Sequence, residues 1–212
     1  MWSINSLLPA IVPTRVVVYS WKVPEDAGPA PADEQSSRMY FYRSTVSVPR
    51  HENVGLAGPI IVTRKGDANP DGTTKGVDRD IVTVFQVYNE NETPANFANL
   101  ADARINTTEL FRSVINGYSW CSVPKLEMVA GEKVRWHIGG LGSEEGLHNF
   151  HWHGNLLRRH GMVADQFQAV PGSTLTADML TDNPGAWMFH CHVNEHLDKG
   201  MIAVFTVKPP PA

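Results

Sequence analysis

The chain has 212 residues, of which 42% are hydrophobic and 19% charged, a composition typical of a globular protein with one or two buried cores. A formal net charge of -4 and the lack of a basic run argue against nucleic-acid binding. No apolar stretch approaches the ~18–20 residues of a membrane span, and residues 1–15, which have no positive n-region and contain Pro9 and Pro13, predict no signal peptide in this chain.

The first third of the chain contains three β-branched and aromatic runs, which predict strands at residues 15–21, 38–48 and 55–64. A Pro- and Gly-rich loop is expected at 23–32, and the polar segment 66–76 is the best linker candidate. We therefore place a domain boundary there. The predicted organisation is an N-terminal unit at 1–66, a linker at 67–77, a second domain at 78–208 and a tail at 209–212.

Alternating or β-branched segments continue through the second domain and predict strands at residues 80–87, 114–117, 128–138, 167–170, 174–180, 187–192 and 201–207. Residues 156–163 fit either a strand or a short helix. No segment shows a sustained helical period. Many short strands separated by turn signals predict an all-β fold, a Greek-key β-sandwich.

The stretch from Trp187 to Met201 carries metal-ligand chemistry. In an extended strand Cys191 points to one face, and its neighbours His190 and His192 point to the other. His196 and Met201 follow closely enough to fold back towards Cys191. Cysteine, histidine and a weak methionine are three of the four ligands of a blue-copper electron-transfer centre.

A second histidine-rich segment lies upstream, from His148 to Gly154. His151 and His153 share one face, and His148 faces the other way, so His148 is predicted to complete the site of Cys191. His151 and His153 would then join the imidazoles of the later segment in a second cluster. Six of the nine histidines fall in the two segments. The alternative, histidines that merely pack in a sandwich core, is disfavoured because clustered buried imidazoles usually serve a metal or catalysis.

The pattern HxxHxHG followed by HCHxxxHxxxxM resembles the paired C-terminal copper signatures of the multicopper oxidases. The segments PEDAGP, GLAGPIIVTRKG, INGYSW and GAWMFHCH extend that resemblance to the ceruloplasmin and hephaestin type over roughly residues 15–207. The resemblance implies cupredoxin domains and copper as cofactor. It implies a complete type 1 site and half-sites for type 2 and type 3 copper. The implied ligands are, for type 1, His148, Cys191, His196 and Met201; for type 2, His151; and for the type 3 pair, His153, His190 and His192.

The chain also departs from the pattern of that family. Residues 1–66 look like the C-terminal part of a non-copper cupredoxin domain, which suggests a fragment of a longer protein. The HxHG and HxH segments of the family's first domain are missing, so half of the trinuclear ligands would have to come from another cupredoxin domain or subunit. We therefore expect the chain to be incomplete as an oxidase by itself.

The activity implied by the resemblance is one-electron oxidation of a substrate coupled to reduction of dioxygen to water, with Cys191, His190 and His192 as the electron path. Oxidation of Fe(II) to Fe(III) is favoured, because Glu195 stands where ferroxidases carry an acidic iron ligand. Glu195 could equally be a solvated loop carboxylate. The family's other iron ligands correspond to about Thr108 and Ser113, with Glu109 as a substitute one position away.

Two further functions stay open at this point. One is laccase-like oxidation of phenols or amines, and the other is an electron-transfer or copper-binding module without turnover. The family is linked to iron transport, and its location would be extracellular or in the secretory-pathway lumen, with attachment to the cell surface through regions outside this chain. The sequons at Asn91 and Asn106 lean the same way and suggest a glycoprotein.

Several other residues are expected to have structural roles. Cys121 is expected to fill a small buried slot. His137 should be a core or hydrogen-bonded histidine, whereas His51 and His160 should lie at the surface. Trp187 is expected to pack in the core.

Overall fold

The computed structural model describes residues 16, 18–48, 50–92, 110–124, 126–142 and 146–211. Their regular structure is almost entirely β. The strands are β1 Ser37–Arg43, β2 Ala57–Thr63, β3 Arg79–Asn89, β4 Phe111–Ile115, β5 Glu127–Val129, β6 Lys133–Gly140, β7 His148–Trp152, β8 Leu157–Arg159, β9 Met162–Ala164, β10 Gln166–Ala169, β11 Thr174–Leu180, β12 Gly185–Cys191 and β13 Ile202–Lys208. The α-helices are short, α1 Arg50–Asn53 and α2 Asn194–Asp198, and 3-10 turns lie at Glu25–Ala27 and Glu90–Glu92.

Two sheets form a sandwich. One has the strand order β10-β7-β12-β13-β5, and the other has the order β4-β3-β6-β11-β8-β9. The pairs β3–β6 and β13–β5 are parallel, and the other pairs are antiparallel. This mixed two-sheet arrangement confirms the all-β, cupredoxin-like sandwich that the sequence predicts.

Aromatic side chains fill the space between the sheets. Phe189 lies at the centre, with ring centroids 5.2 Å from Phe85, 5.1 Å from Trp136 and 4.8 Å from Trp152. All four side chains are fully buried. They come from strands of both sheets, so the inward positions of the period-2 pattern meet in one core. Phe189 directly precedes His190 and Cys191, and the core thereby fixes the strand that carries the candidate ligands.

The hairpin of β1 and β2 packs on the outer face of the six-stranded sheet. Gly139 makes this possible, because an added Cβ there would lie 2.6 Å from the Met39 Cε and would also clash with the ring of Phe41. Met39 is fully buried, and its carbonyl accepts a 2.7 Å hydrogen bond from the Thr174 hydroxyl. The β1–β2 hairpin is therefore docked on the sandwich by side chains that lie directly against the backbone of β6.

Buried polar groups also join the two parts. Arg135, which is only 2% exposed, makes a bidentate ion pair with Asp178 at 2.6 and 2.9 Å and donates to the Ser36 hydroxyl at 2.7 Å. Beside it, His137 contacts Asp80 at 3.0 Å and Thr176 at 3.2 Å. Since burial of a cation is costly without partners, the bonds from Arg135 to the Ser36 and Ser37 hydroxyls help to fix the start of β1 on the sandwich.

Most predicted strands appear with shifts of a residue or two at their ends. Three differ by more, because β1 ends at Arg43 rather than at 48, β4 begins at Phe111 rather than at 114, and the strand predicted at 128–138 is divided between β5 and β6. The prediction of a strand at 15–21 is wrong for the residues described there, 16 and 18–21, which are exposed and form no ladder. Their β-branched side chains favour extended backbone, but no neighbouring strand pairs with them among the described residues. The ambiguous segment 156–163 forms β8 and β9. The boundary at 66–77 stays a prediction. Within the described ranges no helix has the length and apolarity to cross a bilayer.

Candidate metal centres

The first candidate site lies at one end of the five-stranded sheet and is assembled by two of its inner strands and a helix. β7 begins at His148, β12 ends at Cys191, and α2 carries His196. The Cys191 Sγ lies 3.8 Å from the His148 Nδ1 and 3.5 Å from the His196 Nδ1, and the three ligand atoms all lie within 4.8 Å of one another. All three residues are buried. A thiolate and two imidazole nitrogens thus converge on one point, which we name the thiolate cluster.

Met201 follows the same turn. Its backbone N–H donates to the His196 carbonyl at 3.0 Å, and its carbonyl accepts from the Cys191 N–H at 3.1 Å. The side chain is fully buried. These bonds hold the residue between α2 and β13, next to both Cys191 and His196. A weak thioether ligand at this position stays a prediction.

The electrostatics of the thiolate cluster suit a soft cation. Burial, followed by the charge of His196, lowers the pKa of His148 to about 3, so its imidazole stays neutral at physiological pH. Burial also raises the pKa of the Cys191 thiol, and only a cation bound there would displace its proton readily. A hydrogen bond with the Leu141 backbone opposes the pKa shift of His148 only in part. The donor set therefore fits copper.

The second candidate site lies on the other face of β7 and β12, and we name it the imidazole cluster. The His190 Nε2 is 3.1 Å from the His151 Nδ1 and 3.2 Å from the His153 Nε2. The His190 Nδ1 lies 2.9 Å from the Cys191 carbonyl, to which only an N–H can donate. The Nε2 of neutral His190 therefore carries a lone pair towards the other two rings, as a metal ligand requires.

His192 lies at the margin of this cluster. Its side chain is exposed, and its ring centroid is 5.3 Å from that of His151 and 5.4 Å from that of His190. The group whose ligand atoms lie within 4.8 Å of one another contains only His151, His153 and His190. The structure thus brings the ligand nitrogens of three of the four predicted imidazoles together, and the ring of the fourth lies beside them.

Asp165 was missed by the sequence reasoning. Its carboxylate lies 3.5 Å from the His151 Nε2, opposite the Nδ1 that faces the cluster. Burial and the neighbouring His153 lower the pKa of His151, although Asp165 opposes that shift. A carboxylate behind a histidine fixes its orientation and tautomer. The pairing of β10 with β7 brings Asp165 there, and no local spacing in the sequence reveals that pairing.

The proposed iron ligands are not brought together in the same way. Glu195 is 68% exposed and makes a 2.7 Å ion pair with Lys199, which lowers the pKa of its carboxyl. Ser113 is fully buried within β4. Thr108 and Glu109 lie outside the described residues, as does the sequon residue Asn106. The other sequon residue, Asn91, donates from its side-chain amide to Asn89 at 2.9 Å.

The expectation that Cys121 fills a buried slot was wrong. Cys121 is exposed rather than buried, because it lies in a turn after Trp120 with a positive φ of 62°. His137 is fully buried, and His160 is exposed, as predicted. His51 lies in α1, half-buried, with its Nδ1 2.6 Å from the Ser44 hydroxyl. Trp187 is half-buried against the core, and its Nε1 donates to the Asn183 carbonyl at 2.9 Å.

The chain resembles known proteins in sequence. Residues 77–211 match the sequence model of a family described as multicopper oxidase. The chain is 34% identical to hephaestin of Mus musculus over 90% of this chain and 17% of that protein. It is 32% identical to ferroxidase HEPHL1 of Homo sapiens over 93% of this chain and 18% of that protein. For ceruloplasmin of Homo sapiens the identity is 30%, over 96% of this chain and 20% of that protein. The chain thus spans about a fifth of these relatives.

Solved structures agree on the fold. A multicopper oxidase crystal structure superposes with a TM-score of 0.61 at 22% identity, covering 81% of this chain and 56% of that chain. A blue copper oxidase from Nitrosomonas europaea gives a TM-score of 0.59 at 22% identity, covering 85% of this chain and 57% of that chain. At this identity the likeness extends to the fold alone.

Proposed function

Because the chain belongs to the multicopper oxidase family, we propose that it carries the electron-accepting copper site and half of the oxygen-reducing cluster of a copper-dependent oxidoreductase. The observation that carries the proposal is the position of Cys191 in β12. Its side chain lies in the thiolate cluster, while its covalent neighbour His190 lies in the imidazole cluster. One peptide unit therefore connects the two candidate metal sites.

Each residue has a defined role in this proposal. His148, Cys191, His196 and Met201 would hold one copper, and His151, His153, His190 and His192 would supply imidazoles to the other coppers. When bound, copper supplies one-electron chemistry through its two common oxidation states. The Cys191 carbonyl fixes the His190 tautomer, and Asp165 orients His151. The aromatic core around Phe189 keeps water away from the strand that joins the clusters.

We propose Fe(II) as the electron donor, oxidised to Fe(III), with dioxygen as the final acceptor. This substrate is supported by the relative named as a ferroxidase and by the carboxylate of Glu195, next to the ligand His196 on α2. We also propose that the protein is located outside the cell or in the secretory pathway.

Phenols or amines form the second candidate substrate class. The observation that favours them is the 2.7 Å ion pair between Glu195 and Lys199, since the ammonium group competes with a cation for the carboxylate. Organic donors need no such ligand and only require access to the edge of His196.

Oxygen reduction by this chain requires a partner. The imidazole cluster is open, with His192 exposed and His151 and His153 half-buried. A cupredoxin domain carrying HxHG and HxH segments would complete it, either from the same polypeptide or from another subunit.

The decisive experiment combines the copper-loaded chain with such a domain and measures oxygen uptake with Fe(II) and with a phenol. Turnover that appears only in the combination supports the proposal. If the combination contains four coppers but consumes no oxygen with either donor, the oxidase function is excluded.

A further inference from the structure

A cavity of about 210 Å³ lies on the outer face of the six-stranded sheet, and its lining contains no residue of the thiolate or the imidazole cluster. It lies between residues 29–38 of the N-terminal unit and strands β8 and β11. The polar and charged side chains that line it include Asp33, Arg38, Arg159, His160, Thr174 and Thr176.

Arg159 is the unusual member of this lining. It is half-buried at the end of β8, and its guanidinium makes no hydrogen bond or ion pair with any residue in the part of the chain that the structure describes. Burial lowers the pKa of its guanidinium, yet arginine stays protonated in proteins. A partly desolvated cation with five N–H donors and no acceptor is unfavourable unless an anion joins it.

The nearby carboxylate does not fill that need. Among the described residues that line the cavity, Asp33 is the only acidic one. Its Oδ2 already accepts from the Arg38 guanidinium at 3.2 Å and from the Ala30 N–H at 2.8 Å. The adjacent Arg158 points elsewhere and pairs loosely with Glu34 at 3.9 Å. The cavity therefore keeps one uncompensated positive charge, with His160 beside it.

We propose that this cavity binds a small oxyanion, of the size of phosphate or a short dicarboxylate, with Arg159 as its main anchor. The planar fork of arginine matches the paired oxygens of such anions. Since a water molecule takes about 30 Å³ of liquid, the cavity has room for an anion of this size with a few waters.

Binding at this place would also join the N-terminal unit to the sandwich, because the cavity wall comes from both. An anion that binds only the docked form stabilises it in proportion to RT ln(1 + [L]/Kd). The expected consequence is a rise in thermal midpoint with phosphate that exceeds the rise with chloride at equal ionic strength.

The test uses the metal-free full chain and isothermal titration with inorganic phosphate and with malonate, each at constant ionic strength. We expect saturable one-to-one binding of at least one anion. Arg159→Gln should weaken that binding at least about tenfold, while the matched control Arg158→Gln should leave it unchanged. Phosphate and malonate titrations together show which oxyanion class the cavity prefers.

Binding of neither anion, or equal binding by Arg159→Gln and the wild type, would overturn the proposal. Should Arg159→Gln fail to fold, the amide resonances of His160 and Gly161 in the wild type decide instead. These amides should shift with saturable phosphate dependence, and unchanged resonances refute the site.

Discussion

Two regions of this sandwich bury histidine in opposite ways. On the outer face of the six-stranded sheet, His137 has both ring nitrogens engaged, with Asp80 at 3.0 Å and Thr176 at 3.2 Å. At one end of the five-stranded sheet, the buried His148 has an Nδ1 that lies 3.8 Å from the Cys191 thiol and faces the thiolate cluster. The comparison separates a histidine whose bonds are satisfied within the protein from one whose surroundings suit an added cation.

The histidines of the imidazole cluster also have ring nitrogens that are not fully satisfied within the protein. The rings of the imidazole cluster converge nitrogen to nitrogen at 3.1–3.2 Å, an arrangement that neutral imidazoles satisfy only partly by themselves. Substitutions in the metal-facing region should therefore change copper binding with little effect on the fold. Substitutions around His137 should do the reverse.

The largest expected effect is that of Cys191→Ser. A copper-loaded wild-type chain should be intensely blue from the thiolate, and the serine variant should be colourless, because a hydroxyl is a hard and poor ligand for this site. Visible absorption after copper addition measures the effect. The exposed Cys121 offers a matched control, and Cys121→Ser should keep the full colour. A blue band that survives in Cys191→Ser would show that another residue is the thiolate ligand.

The second prediction concerns the open cluster. The chain alone should hold close to one tightly bound copper and show negligible oxygen uptake, because metal sites that lack half of their ligands lose affinity steeply. Metal analysis after dialysis, together with an oxygen electrode, measures both quantities. Four bound coppers with oxygen consumption by the monomeric chain would contradict the half-site interpretation.

The third prediction tests the satisfied histidine. His137→Ala should lower the free energy of unfolding by about 2–3 kcal/mol, because it leaves a cavity and removes the partner of Asp80. The blue band of the copper-loaded chain should stay unchanged. Urea unfolding gives the stability. The control His160→Asn alters an exposed histidine at a positive φ that asparagine tolerates, and it should stay within about 0.5 kcal/mol. A loss of colour in His137→Ala would connect the two regions that we separate.

A smaller effect is expected for the pH dependence of stability through Asp80. Burial alone would raise the pKa of its carboxyl, but the hydrogen bond and charge of His137, together with Thr74, outweigh burial and hold that pKa below its ordinary 3.8. A depressed folded-state pKa stabilises the protein above the unfolded value and loses that contribution as pH falls through the folded value. Urea midpoints measured from about pH 7 to about pH 3 should therefore fall less steeply in Asp80→Asn than in the wild type. Parallel curves would remove Asp80 from this role.

The smallest expected effect is that of Glu195→Ala in the completed enzyme. If Glu195 binds iron, Fe(II) oxidation should fall several-fold while phenol oxidation and colour are kept. The ion pair with Lys199 supplies the control, since Lys199→Ala frees the carboxylate and should not reduce Fe(II) oxidation. Equal losses on both substrates in Glu195→Ala would indicate damage to His196 instead.

The sequence predicted what short-range periodicity can express. The alternation in FHCH and HNFHWH placed Cys191 and His190 on opposite faces, and the strands of the second domain followed from their β-branched runs. It did not predict what depends on strand pairing. Asp165 reaches His151 because β10 pairs with β7, and Lys199 reaches Glu195 only once α2 forms. The exposed turn at Cys121 depends on a positive φ, and the residue types in that turn do not indicate such a backbone conformation.

The order of the candidate ligands along the chain has a consequence for biogenesis. His148 emerges from the ribosome early, whereas His196 and Met201 arrive only with the helix and strand that close the domain. The parallel pairing of β13 with β5 likewise waits for the last strand. Until then, Cys191 is a nascent thiol without its ligand partners. In the proposed geometry, metal capture would therefore have to wait until residues 194–208 have folded, and until then the Cys191 thiol would be open to oxidation and to other metals.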